Sequence, residues 1–269
     1  MTIINDQIEG ASLPLFDTHC HFDFAVFEGQ FDKHLSSAQR QGVQKIMLPA
    51  VGPQNWHRLE SLSQRHCAIY WALGYHPNFL TTKSLDLTPS LSKAFDQATQ
   101  KPLAIGECGL DGLTDIDAQM QQAVLQSHLD AANELELPVI LHCVKAHNEL
   151  LRTLKQTPAR AGGVLHGYSG SYDLAMRFVD KGIKIGVGGV ITYPRANKTR
   201  NAISALPNDC LVLETDAPDM PLSGFQGEPN HPKRLPLILN TVCDLKQTDT
   251  QTIASQFWRN SLELFSICE

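Results

Sequence analysis

Two histidines near the start of the chain are spaced so that both could bind one metal ion. His19 and His21 end an apolar stretch that reads Leu-Pro-Leu-Phe-Asp-Thr-His-Cys-His from residue 13. Residues two apart in a β-strand point to the same side, so both imidazoles would face one point while Cys20 faces away. Because a single His-x-His pair is more often a coincidence of surface residues than a ligand pair, the interpretation needs support from the rest of the chain.

That support comes from four further residues with metal-binding side chains, each of which follows a short apolar run. They are Glu107 after Ala-Ile-Gly, His142 after Val-Ile-Leu, His166 after Val-Leu and Asp216 after Leu-Val-Leu-Glu-Thr. Taken one at a time, Glu107 is as readily explained as an exposed turn residue, and each histidine is more often a hydrogen-bonded core residue. Six such coincidences together favour a metal site.

The elements that must position these residues alternate between strand-like and helix-like patterns. The predicted strands are Pro14–His21, Val43–Val51, Ala68–His76, Pro102–Leu110, Pro138–Val144, Gly163–Tyr168, Lys184–Ile191 and Cys210–Asp216. Eight β/α repeats predict one α/β domain over residues 1–269, folded as a closed (β/α)8 TIM-type barrel. An open doubly wound sheet is the alternative, but it would need a Gly-x-Gly-x-x-Gly turn after the first strand, and residues 17–22 contain no glycine.

Two helices are predicted in detail from periodicity and end signals. The segment Ala118–Glu136 is predicted to bury one face, at the spacings of three and four that a helix requires, made of Met120, Val124, Ser127, Ala131 and Leu135. The last helix, Asp249–Phe265, is predicted to begin behind Thr248 as its N-cap.

The barrel hypothesis places all six candidate ligands at the carboxyl ends of strands, where barrel enzymes carry their active sites. Imidazole and carboxylate ligands together suit Zn, Mn or Fe, and suit Mg less well. Six ligands exceed the needs of one four-coordinate ion. The pattern therefore predicts two divalent cations that share Glu107.

Six short motifs follow one another along the chain: Asp17-Thr-His-Cys-His, Gly74-Tyr-His-Pro, Ile105-Gly-Glu-Cys-Gly-Leu-Asp, Leu141-His-Cys, His166-Gly-Tyr-Ser and Glu214-Thr-Asp-Ala-Pro. In sequence and order they resemble the TatD family of metal-dependent deoxyribonucleases and hydrolases. The resemblance implies that one metal is held by His19, His21 and Asp216, the other by His142 and His166, with Glu107 as the bridge. Other amidohydrolase-like barrels use a carbamylated lysine as the bridge, so a glutamate there favours TatD.

Two departures from the family pattern lie near the predicted mouth of the barrel. Many members carry Arg-Asp-Ala or a similar basic group where this chain has Val144-Lys-Ala-His. Asp111 is followed by Gly112, where an aromatic residue is common. These differences leave the substrate preference open more than the metal binding.

The hypothesis that follows is a divalent-metal-dependent hydrolase, a deoxyribonuclease that cleaves phosphodiester bonds of DNA with metal-activated water. Asp216 would orient that water or accept its proton, and Glu107 would hold both ions. An esterase, lactonase or amidase acting on a small molecule is the alternative enzyme. A non-catalytic metal-binding module is a third possibility, although a purely structural site is usually closed by four ligands.

Several other residues could support the substrate. His76 is predicted to donate to a phosphate oxygen or to a group beside the metal, against the alternative of a structural hydrogen bond before Pro77. A basic cluster follows the seventh strand, and a solvated helix start explains it as well; it contains Arg195, Lys198 and Arg200. In the long segment Ala217–Arg234, Asn230 and His231 are expected to be merely solvated.

Composition restricts the partners and the compartment. The net charge of -6 disfavours a protein that coats duplex nucleic acid, but not an enzyme that grips one phosphate through bound cations. No apolar run reaches the roughly 18 residues of a membrane span. Seven cysteines at irregular spacing and a start without signal-peptide features predict a cytoplasmic protein. The oligomeric state is left open, with a monomer consistent with the sequence.

The cysteines beside the candidate ligands are expected to be structural. Strand alternation would turn Cys20, Cys108 and Cys143 outward into the helix layer as small apolar groups. A thiolate nucleophile at one of them is the less favoured alternative.

Overall fold

The structure, a computed structural model, describes residues 13–81 and 91–268. Within this part of the chain, eight parallel strands form one sheet in sequence order, from β1 to β8. They are β1 Leu15–Asp17, β2 Val43–Leu48, β3 Ile69–Leu73, β4 Ala104–Asp111, β5 Val139–Val144, β6 Gly163–Leu165, β7 Ile183–Val187 and β8 Leu211–Leu213. The predicted parallel (β/α)8 order is confirmed.

Hydrogen bonds between the first and last strands close the sheet into a barrel. The backbone N–H of Thr18, just after β1, donates to the carbonyl of Leu213 at 2.9 Å, and the Thr18 hydroxyl donates to the same oxygen at 2.8 Å. One step further along, the N–H of Asp216 donates to the carbonyl of His19 at 2.9 Å. The segments that follow β1 and β8 therefore run side by side.

Helices surround the barrel on its outside. Those in the described ranges are α1 Phe31–Arg40, α2 Pro53–Arg65, α3 Leu91–Gln97, α4 Ala118–Leu135, α5 His147–Gln156, α6 Tyr172–Val179, α7 Asn197–Ala205, α8 Leu235–Lys246 and α9 Thr250–Leu264. Short 3-10 helices follow several strands, among them Pro77–Phe79 after β3 and Gly189–Thr192 after β7. None of the helices in the described ranges has the length and apolar character needed to cross a membrane.

The buried face of α4 differs from the predicted one. Ser127 is exposed, whereas Gln121 and His128 are buried. Both buried side chains bond to backbone groups: Gln121 accepts from the Asp111 N–H at 2.7 Å, and His128 accepts from the Tyr75 N–H at 2.9 Å. Hydrophobic periodicity treats such residues as solvent-facing, because it cannot detect partners supplied by other elements.

The N-cap of α9 is Asp249 rather than the predicted Thr248. Asp249 has an extended backbone, and its carboxylate accepts from the Thr252 N–H at 2.9 Å and from the Thr252 hydroxyl at 2.7 Å. The Thr248 hydroxyl donates instead to the Lys246 carbonyl at 3.0 Å. The carboxylate one residue later is therefore the group that satisfies a free N–H of the first turn.

Two apolar layers hold the fold together. One layer packs the outer faces of the strands against the helices and includes Cys20 and Cys108, with Cys143 against its edge, as predicted for small apolar groups. The other lies inside the barrel and joins seven strands to the C-terminal helix through Phe16, Met47, Ala72, Ala104, Ile140, Val164, Val212, Leu262, Leu264 and Phe265. Apolar side chains fill the barrel interior, and polar groups lie at the carboxyl ends of the strands.

All eight strands are shorter than predicted, and this changes how the first histidines are placed. β1 ends at Asp17, so His19 and His21 lie beyond the strand, and alternation within a strand is not what brings them together. β8 ends at Leu213, before Asp216. The paired backbone of the two segments, described above, positions these side chains instead.

Candidate metal centre

Glu107 lies at the centre of a cluster of five histidines. It is fully buried on β4. One carboxylate oxygen, Oε2, lies 3.1 Å from His19 Nε2 and 3.4 Å from His21 Nε2. The other, Oε1, contacts His166 Nε2 at 2.7 Å, His142 Nδ1 at 2.8 Å and His76 Nε2 at 3.1 Å. The two oxygens therefore face two separate groups of imidazoles.

Asp216 lies on the same side of Glu107 as the first two histidines. Its Oδ1 is 3.5 Å from His19 Nε2 and 3.8 Å from His21 Nε2. Asp216 adopts a left-handed backbone conformation with φ of 54°, which is uncommon for a residue other than glycine and turns the chain sharply after β8. The structure thus brings all six predicted side chains together at the carboxyl ends of the strands.

Buried hydrogen bonds fix the turn that carries Asp216. Asp17 Oδ1 accepts from the Thr215 N–H at 2.9 Å, and its Oδ2 accepts from the Thr215 hydroxyl. Asn230 donates from Nδ2 to the carbonyl of Thr215 at 2.8 Å. Burial raises the pKa of Asp17 to about 7, although the bonds from Thr215 oppose that change. The turn is held from two sides, by the first strand and by the long segment after β8.

The contacts around Glu107 have clear electrostatic consequences. Burial alone would raise the pKa of Glu107, but the surrounding histidines, His166 first, hold it well below its usual value. Burial lowers the pKa of His166, yet the Glu107 carboxylate beside it raises that pKa to about 10. The rings of His19 and His166 stack with centroids 3.8 Å apart. A carboxylate kept ionised among crowded imidazoles is a strong site for positive charge.

The donor atoms fit divalent cations. His19 Nε2, Glu107 Oε2 and Glu214 Oε2 are buried side-chain atoms that complete no hydrogen bond within the described ranges. Buried polar atoms in this state are rare in proteins and call for an ion or an ordered water. Groups of three ligand atoms close enough to share an ion occur around His19, His21 and Glu107, and around His76, Glu107 and His142. The chemistry of these donors is that of Zn, Mn or Fe sites.

His142 has a carboxylate on its far side. Its Nε2 lies 3.2 Å from Asp111 Oδ2, while its Nδ1 faces Glu107. Burial would raise the pKa of Asp111, but hydrogen bonds from the Leu113 N–H, Asn78 and His142 lower it, so the group is ionised. An Asp111 carboxylate that accepts from Nε2–H leaves Nδ1 as the lone-pair nitrogen, which is the arrangement of a metal-binding histidine.

His76 has the opposite arrangement. Its Nδ1 accepts from the Asn78 N–H at 3.0 Å, so the proton of the neutral ring lies on Nε2, the atom that faces Glu107. A nitrogen that carries a proton donates a hydrogen bond and does not bind a metal ion. The bond from Asn78 is a structural hydrogen bond of the kind given as the alternative for His76, and it leaves Nε2–H free to donate, so the predicted donor role stays a prediction.

Two carboxylates at this site, Asp111 and Glu214, have no role that their motifs alone predict. Glu214 is fully buried, accepts from the Gly167 N–H, and can share an ion with His19 and His166. Burial raises the pKa of Glu214 to about 8. The signal that could have identified it is its spacing from Asp216, which matches that of the two histidines at positions 19 and 21.

Two residues of the long segment were wrongly expected to be solvated. Asn230 is fully buried, and its Nδ2 also donates to the Met220 carbonyl at 3.2 Å. His231 is 9% exposed and contacts His34, with His231 Nε2 3.1 Å from His34 Nδ1. The segment folds back onto the barrel, so polar residues within it meet partners that cannot be recognised from its proline-rich composition.

The basic cluster after β7 divides into residues with different surroundings. Arg200 donates to the carbonyl of Ile191 and supports the backbone. Lys198 is exposed at the start of α7. Arg195 lines a cavity together with Tyr193.

The mouth of the candidate metal centre is a separate cavity of about 330 Å³, whose walls include Phe24, Phe79 and Asp219.

Comparisons with known proteins agree with this geometry. A family model described as TatD related DNase matches residues 16–266. An Escherichia coli K12 protein named "uncharacterized metal-dependent hydrolase YjjV" is 44% identical over 253 residues, covering 93% of this chain and 97% of that protein. The Klebsiella pneumoniae protein named "3'-5' ssDNA/RNA exonuclease TatD" is 30% identical over 262 residues, covering 94% and 98%.

A solved structure gives the same result. The crystal structure of YjjV from Escherichia coli aligns with a TM-score of 0.89 at 42% identity, covering 94% of this chain and 98% of that one. The family model and the 44% identical relative each span more than nine-tenths of the chain. The chain therefore belongs to the TatD-related DNase family of metal-dependent hydrolases.

Proposed function

We propose that the chain is a phosphodiesterase that cleaves single-stranded DNA or a related nucleic acid. The observation that carries the proposal is the arrangement around Glu107, a buried carboxylate whose two oxygens each face imidazoles at the active end of a barrel. The exonuclease name of the Klebsiella pneumoniae relative supports the choice of nucleic acid. A donor histidine beside the cluster, His76, suits an anionic phosphoryl group.

We propose a dinuclear site. One ion would be held by His19, His21 and Asp216, the other by His142 and His166, with Glu107 shared. The two oxygens of Glu107 face these two groups separately, which supports the division. When bound, such ions polarise a phosphoryl oxygen and lower the pKa of a coordinated water. Zn, Mn and Fe fit the donors better than Mg does.

The chain's own residues would supply the remaining steps. Asp216 borders the mouth cavity, so its carboxylate can orient a water and accept its proton. In the metal-free protein burial raises the pKa of Asp216, against the opposing effect of His166 and His21. A cation beside it would keep the carboxylate ionised and able to accept a hydrogen bond from that water. His76 Nε2–H would donate to a non-bridging phosphate oxygen, because its other nitrogen is occupied by the Asn78 N–H.

We also propose a cytoplasmic location. All seven cysteines are unpaired, which supports a reducing compartment.

The test combines metal removal with a single substitution. Chelator should abolish hydrolysis of a single-stranded oligonucleotide, and divalent metal should restore it. Asp216→Asn should lower kcat by about 100-fold or more, because a positioned base contributes that much. Asp180→Asn, an exposed aspartate at the end of α6, removes the same charge and should leave kcat unchanged.

Substrate choice decides between the enzyme classes. The same preparations are assayed with single-stranded DNA, duplex DNA, bis(p-nitrophenyl) phosphate and p-nitrophenyl acetate. Hydrolysis of the phosphodiesters supports the proposal. Hydrolysis of the carboxyl ester alone contradicts it and favours an esterase, whereas bound metal without any turnover favours a non-catalytic module.

A further inference from the structure

A second cavity lies beside the metal centre, on the rim formed by the segments after β7 and β8. It has a volume of about 490 Å³ and is lined by Val190, Tyr193, Arg195, Ala196, Met220 and Pro221. Consecutive residues of the loop after β8 line the two cavities, because Asp219 belongs to the wall of the metal centre and Met220 to the wall of this one. The two cavities therefore share this loop as a common wall, and a polymer that crosses the loop would pass from the metal centre into the second cavity.

The loop that separates the two cavities is held in place. The Met220 carbonyl accepts from Asn230 Nδ2 at 3.2 Å. Met220 Sδ lies only 3.9 Å from the position that a Cβ would take on Gly167, the residue after His166. The thioether thus packs against the backbone that carries a proposed ligand. The cavity is a fixed feature next to the reaction centre.

Tyr193 and Arg195 give the cavity an aromatic ring and a positive charge. The Tyr193 hydroxyl donates to the Pro221 carbonyl at 2.6 Å, which fixes the ring. The guanidinium carbon of Arg195 lies 5.0 Å from the centre of that ring. Arg195 is exposed, and no carboxylate in the described part of the chain lies within ion-pair distance of it. The arginine is therefore held over a ring and keeps its charge for a ligand.

A mainly apolar cavity with an aromatic ring and an unpaired guanidinium suits one unit of a single-stranded nucleic acid. Bases stack on aromatic rings and on arginine without regard to sequence. A guanidinium binds phosphate oxygens through paired N–H groups. A small uncharged ester would use neither the charge nor the flat surfaces. A base within a duplex is stacked on its neighbours and cannot enter.

We propose that the Tyr193–Arg195 cavity binds the base next to the scissile phosphodiester, with Arg195 on the neighbouring phosphate. This inference rests on the proposed phosphodiesterase function and adds the subsite that would select unpaired over duplex substrate. Tyr193 and Arg195 bind substrate and act on no reacting atom.

The test compares two substrates with the metal-loaded enzyme. Bis(p-nitrophenyl) phosphate is small enough to occupy the metal centre alone, whereas a single-stranded oligonucleotide extends into the second cavity. Tyr193→Ala should raise KM for the oligonucleotide about tenfold, the usual effect of losing one stacked base, with little change for the small diester. Tyr193→Phe keeps the ring and should retain most of the wild-type KM.

Arg195→Ala is tested by the salt dependence of binding, using a hydrolysis-resistant phosphorothioate oligonucleotide. Loss of one phosphate contact on a single strand reduces the slope of log Kd against log salt by about 0.7. Lys198→Ala is the matched control, because Lys198 is an exposed cation three residues away that does not line the cavity. The control should change the slope by less than Arg195→Ala does.

The outcomes separate the two proposals. Hydrolysis of both substrates by the wild type, with Tyr193→Ala impaired for the oligonucleotide alone, supports the subsite. The subsite is overturned if Tyr193→Ala is equally impaired for both substrates or is impaired for neither. It is also overturned if Arg195→Ala and Lys198→Ala give equal salt slopes. In each case the phosphodiesterase proposal stands. Failure of the metal-loaded wild type to hydrolyse either phosphodiester overturns the proposed function itself.

Discussion

Replacement of Asp111 should weaken metal binding without removing a ligand. Asp111 Oδ2 lies 3.2 Å from His142 Nε2 and also accepts from Asn78 Nδ2 at 3.0 Å, while its Oδ1 accepts from the Leu113 N–H at 2.8 Å. The carboxylate is thus locked in place and fixes the proton of His142 on Nε2. Without it, His142 can carry the proton on Nδ1, the nitrogen that faces Glu107 and would bind the ion.

The size of the effect follows from the geometry of this contact. Loss of a carboxylate that orients a metal-binding histidine typically weakens the metal affinity 10- to 100-fold, about 1.4 to 2.8 kcal/mol. Asp111→Ala removes the acceptor altogether and should show the full effect. Asp111→Asn keeps an amide oxygen for the Nε2–H but loses the charge. Because charge-assisted bonds are about twice as strong as neutral ones, Asp111→Asn should show an intermediate loss.

The assay is competition for Zn²⁺ with a chromophoric chelator, which gives Kd for each variant. Asp115→Ala is the matched control, since Asp115 is an exposed aspartate of the same loop. Circular dichroism checks that each variant is folded. A folded Asp111→Ala protein with the Zn²⁺ affinity of the wild type would refute the reasoning, as would an equal loss in Asp115→Ala.

Two further predictions concern stability. Burial lowers the pKa of His128 to about 4. As pH falls from about 6.5 towards 4, this histidine therefore binds a proton in the unfolded chain but not in the folded protein, and the unfolding free energy falls. Between pH 6.5 and 4.5, the unfolding free energy of His128→Gln, measured in urea, should therefore change by about 2 kcal/mol less than that of the wild type. An equal change in both proteins would contradict the low pKa of His128. A Cβ on Gly74 would lie 2.5 Å from the carbonyl carbon of Gly106, so Gly74→Ala should lower the unfolding free energy by about 1 to 3 kcal/mol, and a variant as stable as the wild type would contradict this close packing.

The barrel could be predicted from the sequence because its signals are local. Each strand is a short apolar run, and each is followed by a segment of helical length, so the number and order of elements follow directly. The site residues follow from the same logic, since Glu107, His142, His166 and Asp216 each come after such a run and parallel strands share one active end.

The buried polar contacts could not be predicted, because they depend on contacts between elements. The contact of Asp111 with His142 requires β4 and β5 to run very close. They are so close that a Cβ on Gly109 would lie 1.9 Å from the His142 carbonyl oxygen. The buried His128 looks polar in a periodicity count, because its partner is the backbone N–H of Tyr75 on another element. Each miss is a buried polar group satisfied at long range.

The exact ends of the strands were missed for a related reason. The prediction carried β1 on to His21 and β8 on to Asp216, because apolar and ligand residues continue without a turn signal. In the structure, hydrogen bonds between the two segments replace the sheet pattern there, such as that from the Asp216 N–H to the His19 carbonyl. Three of the candidate ligands, His19, His21 and Asp216, lie on these cross-bonded segments.

Anomalous diffraction from crystals grown with Zn²⁺ would show whether Glu107 binds two metal ions. We expect two anomalous peaks in each chain, one beside each carboxylate oxygen of Glu107, with His19 and His21 at the first peak and His142 and His166 at the second. A single peak that does not touch Glu107, or peaks elsewhere on the barrel, would contradict the dinuclear site.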